Sequence, residues 1–134
     1  MGPSAFQFSN PVLLQMNIEV NRGFSPENAI MPKVAFNVEV NRHMENREAI
    51  VELTVSIGET GDEYPFSISM TEGAKFKWSE EADDKLEFLL NQNAPALLLG
   101  YIRPIVATVT AASPFGAYNI PFIDFTKTNT DHEE

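Results

Sequence analysis

Few side chains in this sequence have a type and spacing that suit catalysis or metal binding. The chain contains no cysteine and two histidines, His43 between two apolar stretches and His132 near the C-terminal end. These two histidines, in a predicted turn and a predicted tail, do not have the spacing of a metal site. The sequence has no phosphate-binding glycine loop and no G-x-S-x-G nucleophile motif. We therefore expect a protein that is not an enzyme and that binds no metal and no cofactor.

An acidic run, Glu80-Glu81-Ala82-Asp83-Asp84, is the remaining candidate for chemistry. Clustered carboxylates can hold a divalent cation. The run also follows Ser79, a residue type that favours the N-cap of a helix, and the helix dipole favours acidic side chains in the first turn. We favour a helix start over a cation site. Asp124, an isolated acid beside aromatic residues, is interpreted as a turn residue.

Length and charge restrict the class of protein. The 134 residues suit a single domain, 1–134, of which residues 126–134 are polar and predicted to be disordered. The formal net charge of -10 repels nucleic-acid phosphate and anionic lipid, and it suits basic or unfolded polypeptides as partners. The first residues lack the basic and long apolar regions of a secretory signal. We expect a cytoplasmic protein that does not bind nucleic acid.

The N-terminal part of the chain alternates between apolar and polar residues, which is typical of strands with one buried face. Four strands are predicted, at residues 5–20, 33–42, 49–57 and 64–71. In the first, which Asn10-Pro11 interrupts, the residues expected on the buried face are Phe6, Phe8, Val12, Leu14, Met16, Ile18 and Val20. Short turns join the last three strands, and a long loop, 21–32, follows the first. This pattern predicts a four-stranded antiparallel sheet, a meander with a long first crossover loop.

Helices are predicted after the strands, so the fold class is α+β, with C-terminal helices packed on one face of the sheet. The first helix is predicted from Ser79 to about Asn91. Pro95 then restarts the helix in a new direction. Pro104 is predicted to kink this second helix, because its ring clashes with the carbonyl group four residues earlier.

The second helix is apolar on nearly every side. Between Ala94 and Ala112 the clearly polar residues are Arg103, Thr108 and Thr110. Such a helix must be buried on more than one face, in a core, a membrane or a subunit interface. Arg103 and Pro104 near its middle argue against a membrane span. A core helix that also forms a subunit interface is therefore favoured.

Apolar residues are also frequent outside the predicted strands and helices. They are Phe24, Ile30 and Met31 in the loop 21–32, and Phe115, Tyr118, Ile120, Phe122 and Phe125 after the helices. Two interpretations stay open. These side chains close the ends of a small core, or they line a groove for apolar segments of another chain.

Three segments of the sequence resemble the SecB family of tetrameric protein-export chaperones. They are Phe6-Gln7-Phe8, the run N-A-P-A-L-L-L-G-Y-I-R that ends at Arg103, and the run F-G-A-Y-N-I-P-F-I-D-F that ends at Phe125. The order of four strands and a long helix also fits. The resemblance implies a dimer of dimers with the long helix in the subunit interface, where the expected residues are Leu97, Leu98, Tyr101, Ile102, Ile105 and Val109.

The resemblance also implies a function. Members of the family bind unfolded precursor polypeptides in long apolar grooves without ATP, and the loop after the first strand forms one groove wall. The chain is thus predicted to be a holdase, with unfolded or precursor polypeptides and further copies of itself, as a dimer or tetramer, as partners. The peptide-binding residues would be Phe24, Ile30, Met31, Phe115, Tyr118, Ile120, Phe122 and Phe125.

The family docks the SecA motor through acidic residues on the exposed face of the sheet. Glu19 matches one of these acids, and Gln15 and Ser69 stand where others would be. Glu39 and Glu52 keep the face acidic, so the candidate docking residues are Glu19, Glu39 and Glu52.

The sequence departs from the family in two further ways. The loop 21–32 has no tryptophan where the family has one, and we expect no C-terminal helix of the kind that forms the second groove wall in the family. Small SecB-like proteins also occur as dedicated chaperones of toxin–antitoxin systems. The alternatives to an export holdase are therefore an interaction module for one partner, such as an antitoxin, and a small-molecule binder or enzyme that uses the same groove.

Overall fold

The structure is a computed structural model that describes residues 5–25, 32–59 and 64–126. It contains a sheet and one long helical segment. The strands are β1 (Phe6–Phe8), β2 (Val12–Val20), β3 (Val34–His43), β4 (Glu48–Gly58) and β5 (Phe66–Trp78). The α-helices are α1 (Leu86–Phe88) and α2 (Ala94–Ala111).

All five strands belong to one antiparallel sheet with the order β1-β5-β4-β3, in which β2 also pairs with β5. β1 and β2 share the same edge of β5, because Phe8 lies opposite Phe76 and Val20 lies opposite Phe66. The sheet therefore has four strand positions, and the first is filled by two strands separated at Pro11, which has no N–H to donate. The predicted α+β fold, with a meander and a long first crossover, is confirmed.

The core lies between the inner face of the sheet and the helical segment. α2 packs against β4 and β5, and alternate residues of these strands point towards it. The largest fully buried side chains include Val51, Leu53, Val55, Met70, Phe76, Leu98, Ile102 and Val106. Most residues of β2, in contrast, are exposed, so the helix does not cover this edge of the sheet.

β2 does not keep the strict alternation that the sequence predicts. Its register against β5 shifts at Leu14, so that Leu13 lies opposite Glu72 and Val12 opposite Gly73. Such a bulge adds one residue to one strand and reverses the facing of the residues on one side of it. The Leu14 side chain consequently lies against Gly73 on the outer face, where an added Cβ would be 2.8 Å from Leu14 Cδ1. The prediction that Val12 and Leu14 face the core is wrong.

The chain is helical from residue 80 to residue 111 without interruption. Between α1 and α2 lies a π-helical segment, Leu89–Asn93, in which the Ala94 N–H donates to the carbonyl five residues earlier. The predicted end of a helix near Asn91 is therefore wrong. The wider π turn comes directly before Pro95, which has no N–H for an α-helical hydrogen bond.

The ends and the course of this helical segment differ in detail from the predictions. Ser79 is the N-cap of a 3₁₀ turn, Glu80–Lys85, but its side chain makes no capping hydrogen bond. α2 continues through Pro104 to its end. Among the described residues, this segment is the one long and apolar enough to cross a bilayer. Because Leu98 and Ile102 are fully buried against the sheet, it packs as the core helix of a globular domain.

Two ion pairs hold the start of the helical segment to the sheet. Asp83 accepts hydrogen bonds from Arg47, at 2.7 Å from Nη2, and from the Trp78 indole N–H at 3.1 Å. The hydrogen bond from Arg47 lowers the pKa of Asp83. Glu87 accepts two hydrogen bonds from Arg42, which likewise lower the pKa of Glu87. Asp83, a member of the predicted acidic run, is thus paired with a cation of its own chain.

Candidate functional site

The segment 114–125, which we call the C-terminal strap, begins at a turn fixed by Thr110. The buried Thr110 hydroxyl donates to the Val106 carbonyl and accepts a hydrogen bond from the Tyr118 N–H, each at 2.7 Å. Gly116 has φ +85°, a backbone conformation that glycine adopts without strain. These contacts turn the chain back from the end of α2 towards the sheet.

Aromatic contacts then hold the strap along the inner face of the sheet. The ring of Tyr118 lies 5.9 Å from that of Phe66 on β5, and the ring of Phe125 lies 4.9 Å from that of Phe36 on β3, both edge-to-face. Such aromatic pairs contribute about 0.5–1.5 kcal/mol beyond their buried area. Burial raises the pKa of Tyr118. The strap therefore crosses from β5 to β3 and is fixed at both ends.

The structure divides the predicted peptide-binding residues into three groups. Ile120 is 1% exposed and belongs to the core, whereas Phe122, two residues later, is 82% exposed. Phe24 and Phe115 contact each other edge-to-face at 4.9 Å, and Phe24, Tyr118 and Phe125 are half-buried. Ile30 and Met31 lie outside the described residues. Ile120 therefore closes the core, whereas Phe122 projects from it, and the groove for another chain stays a prediction.

The predicted subunit-interface residues also divide between two sides of α2. Leu98 and Ile102 are fully buried in the core of their own chain, so their side chains are not accessible to a second subunit. Leu97, Tyr101, Ile105 and Val109 are spaced four residues apart and lie together on another side; Tyr101 is 42% exposed and the others are half-buried. An interface on α2 would consist of these four side chains.

Sequence reasoning missed a second apolar surface, on β2. Val12, Leu13, Leu14, Met16 and Val20 are all exposed. Among the described residues β2 pairs only with β5, so its other edge has free backbone groups. An exposed apolar edge strand is a site at which other chains associate. The run of three apolar residues, Val12 to Leu14, was the available signal, because strict alternation cannot bury all three.

A cleft separates β1 from the helical segment. It has a volume of about 390 Å³ and is lined by Phe6, Phe8, Phe76, Asn93, Ala96 and Leu97. Phe6 stacks on Phe76 with ring centroids 5.4 Å apart. The cleft is therefore largely apolar, and it lies between β1 and the side of α2 that carries Leu97.

The three candidate motor-docking acids do not form one cluster. Glu39 and Glu52 are direct neighbours across β3 and β4, whereas Glu19 lies opposite Ser67 towards the other end of β5. The two lysines of β5, Lys75 and Lys77, lie within 4 Å of Glu48 on the same outer face. The outer face is therefore mixed in charge, with the Glu39–Glu52 pair as its acidic centre.

Comparison with solved structures finds a similar fold in the SecB-like chaperone Rv1957 of Mycobacterium tuberculosis, which was solved in complex with a ChAD peptide from the Rv1956 HigA1 antitoxin. The TM-score is 0.71 at 14% sequence identity, over 89% of this chain and 91% of that chain. A protein of unknown function from Streptococcus agalactiae has a TM-score of 0.47 and 14% identity, over 87% of this chain and 97% of that chain. At these identities the first likeness shows the fold alone.

A search of curated protein sequences finds no match. The family model of the preprotein translocase subunit SecB, however, matches residues 14–133. This range includes β2 from Leu14 onwards, β3 to β5, the helical segment and the strap. The chain therefore belongs to the SecB family.

Proposed function

We propose that this protein is an ATP-independent holdase of the cytoplasm, which binds apolar segments of non-native polypeptides and has no enzymatic activity. The exposure of the Phe122 side chain is the observation that carries the proposal. This side chain is 82% exposed on a strap that aromatic contacts fix to the sheet. The exposed ring offers apolar area to a partner, and a fixed backbone lowers the entropic cost of binding.

Affinity for such segments would come from buried apolar area, at roughly 25 cal/mol per Å² before the cost of ordering the bound chain. Phe122 offers such area on the strap, and so does Phe115 together with the Phe24 ring that packs on it. The net charge of -10 would attract basic segments of a client and would keep the complexes soluble. No step of this mechanism requires a cofactor.

The most direct test measures aggregation of a chemically denatured client after dilution into buffer that contains the protein. We expect the wild type to suppress aggregation and Phe122→Asp to lose most of this effect. Phe88→Asp is the matched control, because Phe88 is also exposed but lies on α1 rather than on the strap. Absence of suppression by the wild type, or an equal loss in both variants, would contradict the proposal.

A chaperone dedicated to one partner, such as an antitoxin, is the second candidate function. It is favoured by the similar fold of the SecB-like chaperone solved with an antitoxin peptide. Capture of partners from a cell lysate separates the two functions. One stoichiometric partner supports the dedicated chaperone, whereas many unfolded precursors support the export holdase.

We further propose that the protein is a homo-oligomer, a dimer or tetramer, that uses Leu97, Tyr101, Ile105 and Val109 on α2. Two charges that replace an apolar contact at a symmetric interface are strongly unfavourable. Light scattering should therefore report an oligomer for the wild type and a smaller species for Tyr101→Asp. A monomeric wild type would contradict the assignment.

A contact with the SecA motor, if the protein serves export, would centre on the Glu39–Glu52 pair, with Glu19 at its edge. Two carboxylates on neighbouring strands form a local negative potential that suits a basic partner. We expect Glu52→Lys to weaken SecA binding and a high salt concentration to have the same effect. Salt-independent binding that Glu52→Lys leaves unchanged would exclude this surface.

A further inference from the structure

Glu72, in the middle of β5, is the one buried carboxylic acid among the described residues. It is 3% exposed, and its Oε1 atom makes no hydrogen bond. Its side chain shares the inner face of the sheet with Met70, and it lies between Leu13 of β2 and Leu53 of β4. A buried carboxylate without a partner is costly to ionise, because its charge loses hydration and gains nothing in return.

No charge on the neighbouring elements compensates Glu72. β2 and β4 place leucines opposite it, and Glu52 lies one position away on the outer face, opposite Gly73. The titratable or charged residues of α2 are Tyr101 and Arg103; both are exposed, and neither makes an ion pair or hydrogen bond with Glu72. Burial alone therefore acts on this carboxyl group, and it raises the pKa of Glu72.

The three elements that cover Glu72, namely β4, α2 and β2, differ in how firmly they are held against the rest of the fold. On the β4 side, Leu53 is fully buried in a strand that pairs on both edges. On the helix side, α2 contributes fully buried side chains. On the β2 side, Leu13 is exposed, the bulge at Leu14 interrupts the ladder, and the strand pairs only with β5 among the described residues. Water therefore reaches the carboxyl group most easily if β2 moves away.

We propose that Glu72 makes the pairing of β2 with β5 dependent on pH. While Glu72 is protonated, β2 stays on the sheet. When Glu72 ionises, β2 opens at the bulge and water hydrates the carboxylate. The opening uncovers the inner-face side chains at the edge of β5, so pH controls how much apolar surface the chain presents.

The direction of the effect follows from proton linkage. The closed state holds the proton more tightly than the open state, so closed β2 is favoured below the pKa of the open state. This preference is lost as the pH rises to the pKa of the closed state. Between the two values, the equilibrium constant for opening rises by up to about tenfold per pH unit.

Hydrogen exchange of the β2 amides, measured by NMR from about pH 5 to about pH 8 and corrected for the intrinsic exchange rate, tests this dependence. In the wild type, the protection of the β2 amides should fall by up to about tenfold per pH unit between the pKa of Glu72 in the open state and its pKa in the closed state. Protection in β3, the other edge strand, should stay constant. Glu72→Gln should give β2 a constant protection. Glu52→Gln, a change on the other face of the same sheet, should behave like the wild type.

Constant β2 protection in the wild type would overturn the proposal, and so would an equal slope in Glu72→Gln. If Glu72→Gln does not fold, titration of the Glu72 side-chain carboxyl by ¹³C NMR in the wild type decides the question. If Glu72 titrates at or below the ordinary pKa range of glutamate in the folded protein, the pairing of β2 with β5 does not depend on its proton and the proposal is refuted. Titration above that range supports the proposal.

Discussion

Replacing Thr110 with valine is expected to release the C-terminal strap from the end of α2. The hydroxyl of this fully buried residue bonds both the Val106 carbonyl and the Tyr118 N–H at 2.7 Å. Valine keeps the shape of threonine but removes both hydrogen bonds, and the Tyr118 N–H then has no acceptor in a half-buried place. Each bond contributes about 0.5–1.5 kcal/mol, so the free energy of unfolding should fall by about 2 kcal/mol.

Urea denaturation at a fixed protein concentration measures this loss, because chain association would make the apparent stability depend on concentration. Thr108→Val is the matched control, since Thr108 is exposed on the same helix, and it should change the stability by less than about 0.5 kcal/mol. Hydrogen exchange of the Tyr118 amide should accelerate in Thr110→Val alone. Equal stabilities of the two variants, or unchanged exchange at Tyr118, would refute this account of how the strap is held.

Three further substitutions test other contacts. Asp83→Asn removes the charged partner of Arg47. Because the pKa of Asp83 is lowered in the folded chain, thermal melts should show that the variant is less stable than the wild type at neutral pH. This difference should vanish as the pH falls through the lowered pKa of Asp83. Gly58→Ala should destabilise the chain strongly in urea denaturation, because Gly58 has φ +72° and an added Cβ would collide with the Phe66 carbonyl. Gly100→Ala should instead raise the melting temperature, by the equivalent of about 1 kcal/mol, because it favours the helix and meets no atom within 4 Å; a lower melting temperature would contradict an open space at this position.

The sheet could be predicted because β3, β4 and the first part of β5, up to Met70, alternate between apolar and polar residues. In β5 the alternation is interrupted at Glu72, a polar residue on the inner face, so the predicted strand ends at residue 71 although β5 continues to Trp78. The facing of β2 could not be predicted, because three consecutive apolar residues from Val12 to Leu14 fit either face, and only the pairing with β5 decides where the bulge lies. The prediction that a helix ends near Asn91 is wrong for a related reason. A proline excludes an α-helical hydrogen bond but permits a π turn.

The sequence indicates which apolar residues belong to the candidate site, but it does not indicate which way their side chains face. α2 is apolar on nearly every side, so the sequence does not distinguish Leu98, which faces the sheet, from Tyr101, which faces away. In the extended strap, Ile120 and Phe122 stand two residues apart and are similarly apolar, yet one is buried and the other exposed. The path of the strap between Phe66 and Phe36 decides this difference, and that path depends on contacts distant in sequence.

The shared edge of β5 has a consequence for synthesis on the ribosome. β1 and β2 have no other partner among the described strands, so they cannot pair until residues 66–78 have been made. At roughly 5–20 residues per second, the N-terminal segment waits for seconds with its apolar side chains unpaired. The nascent chain of this protein therefore passes through the aggregation-prone condition from which, as a holdase, the finished protein would protect others.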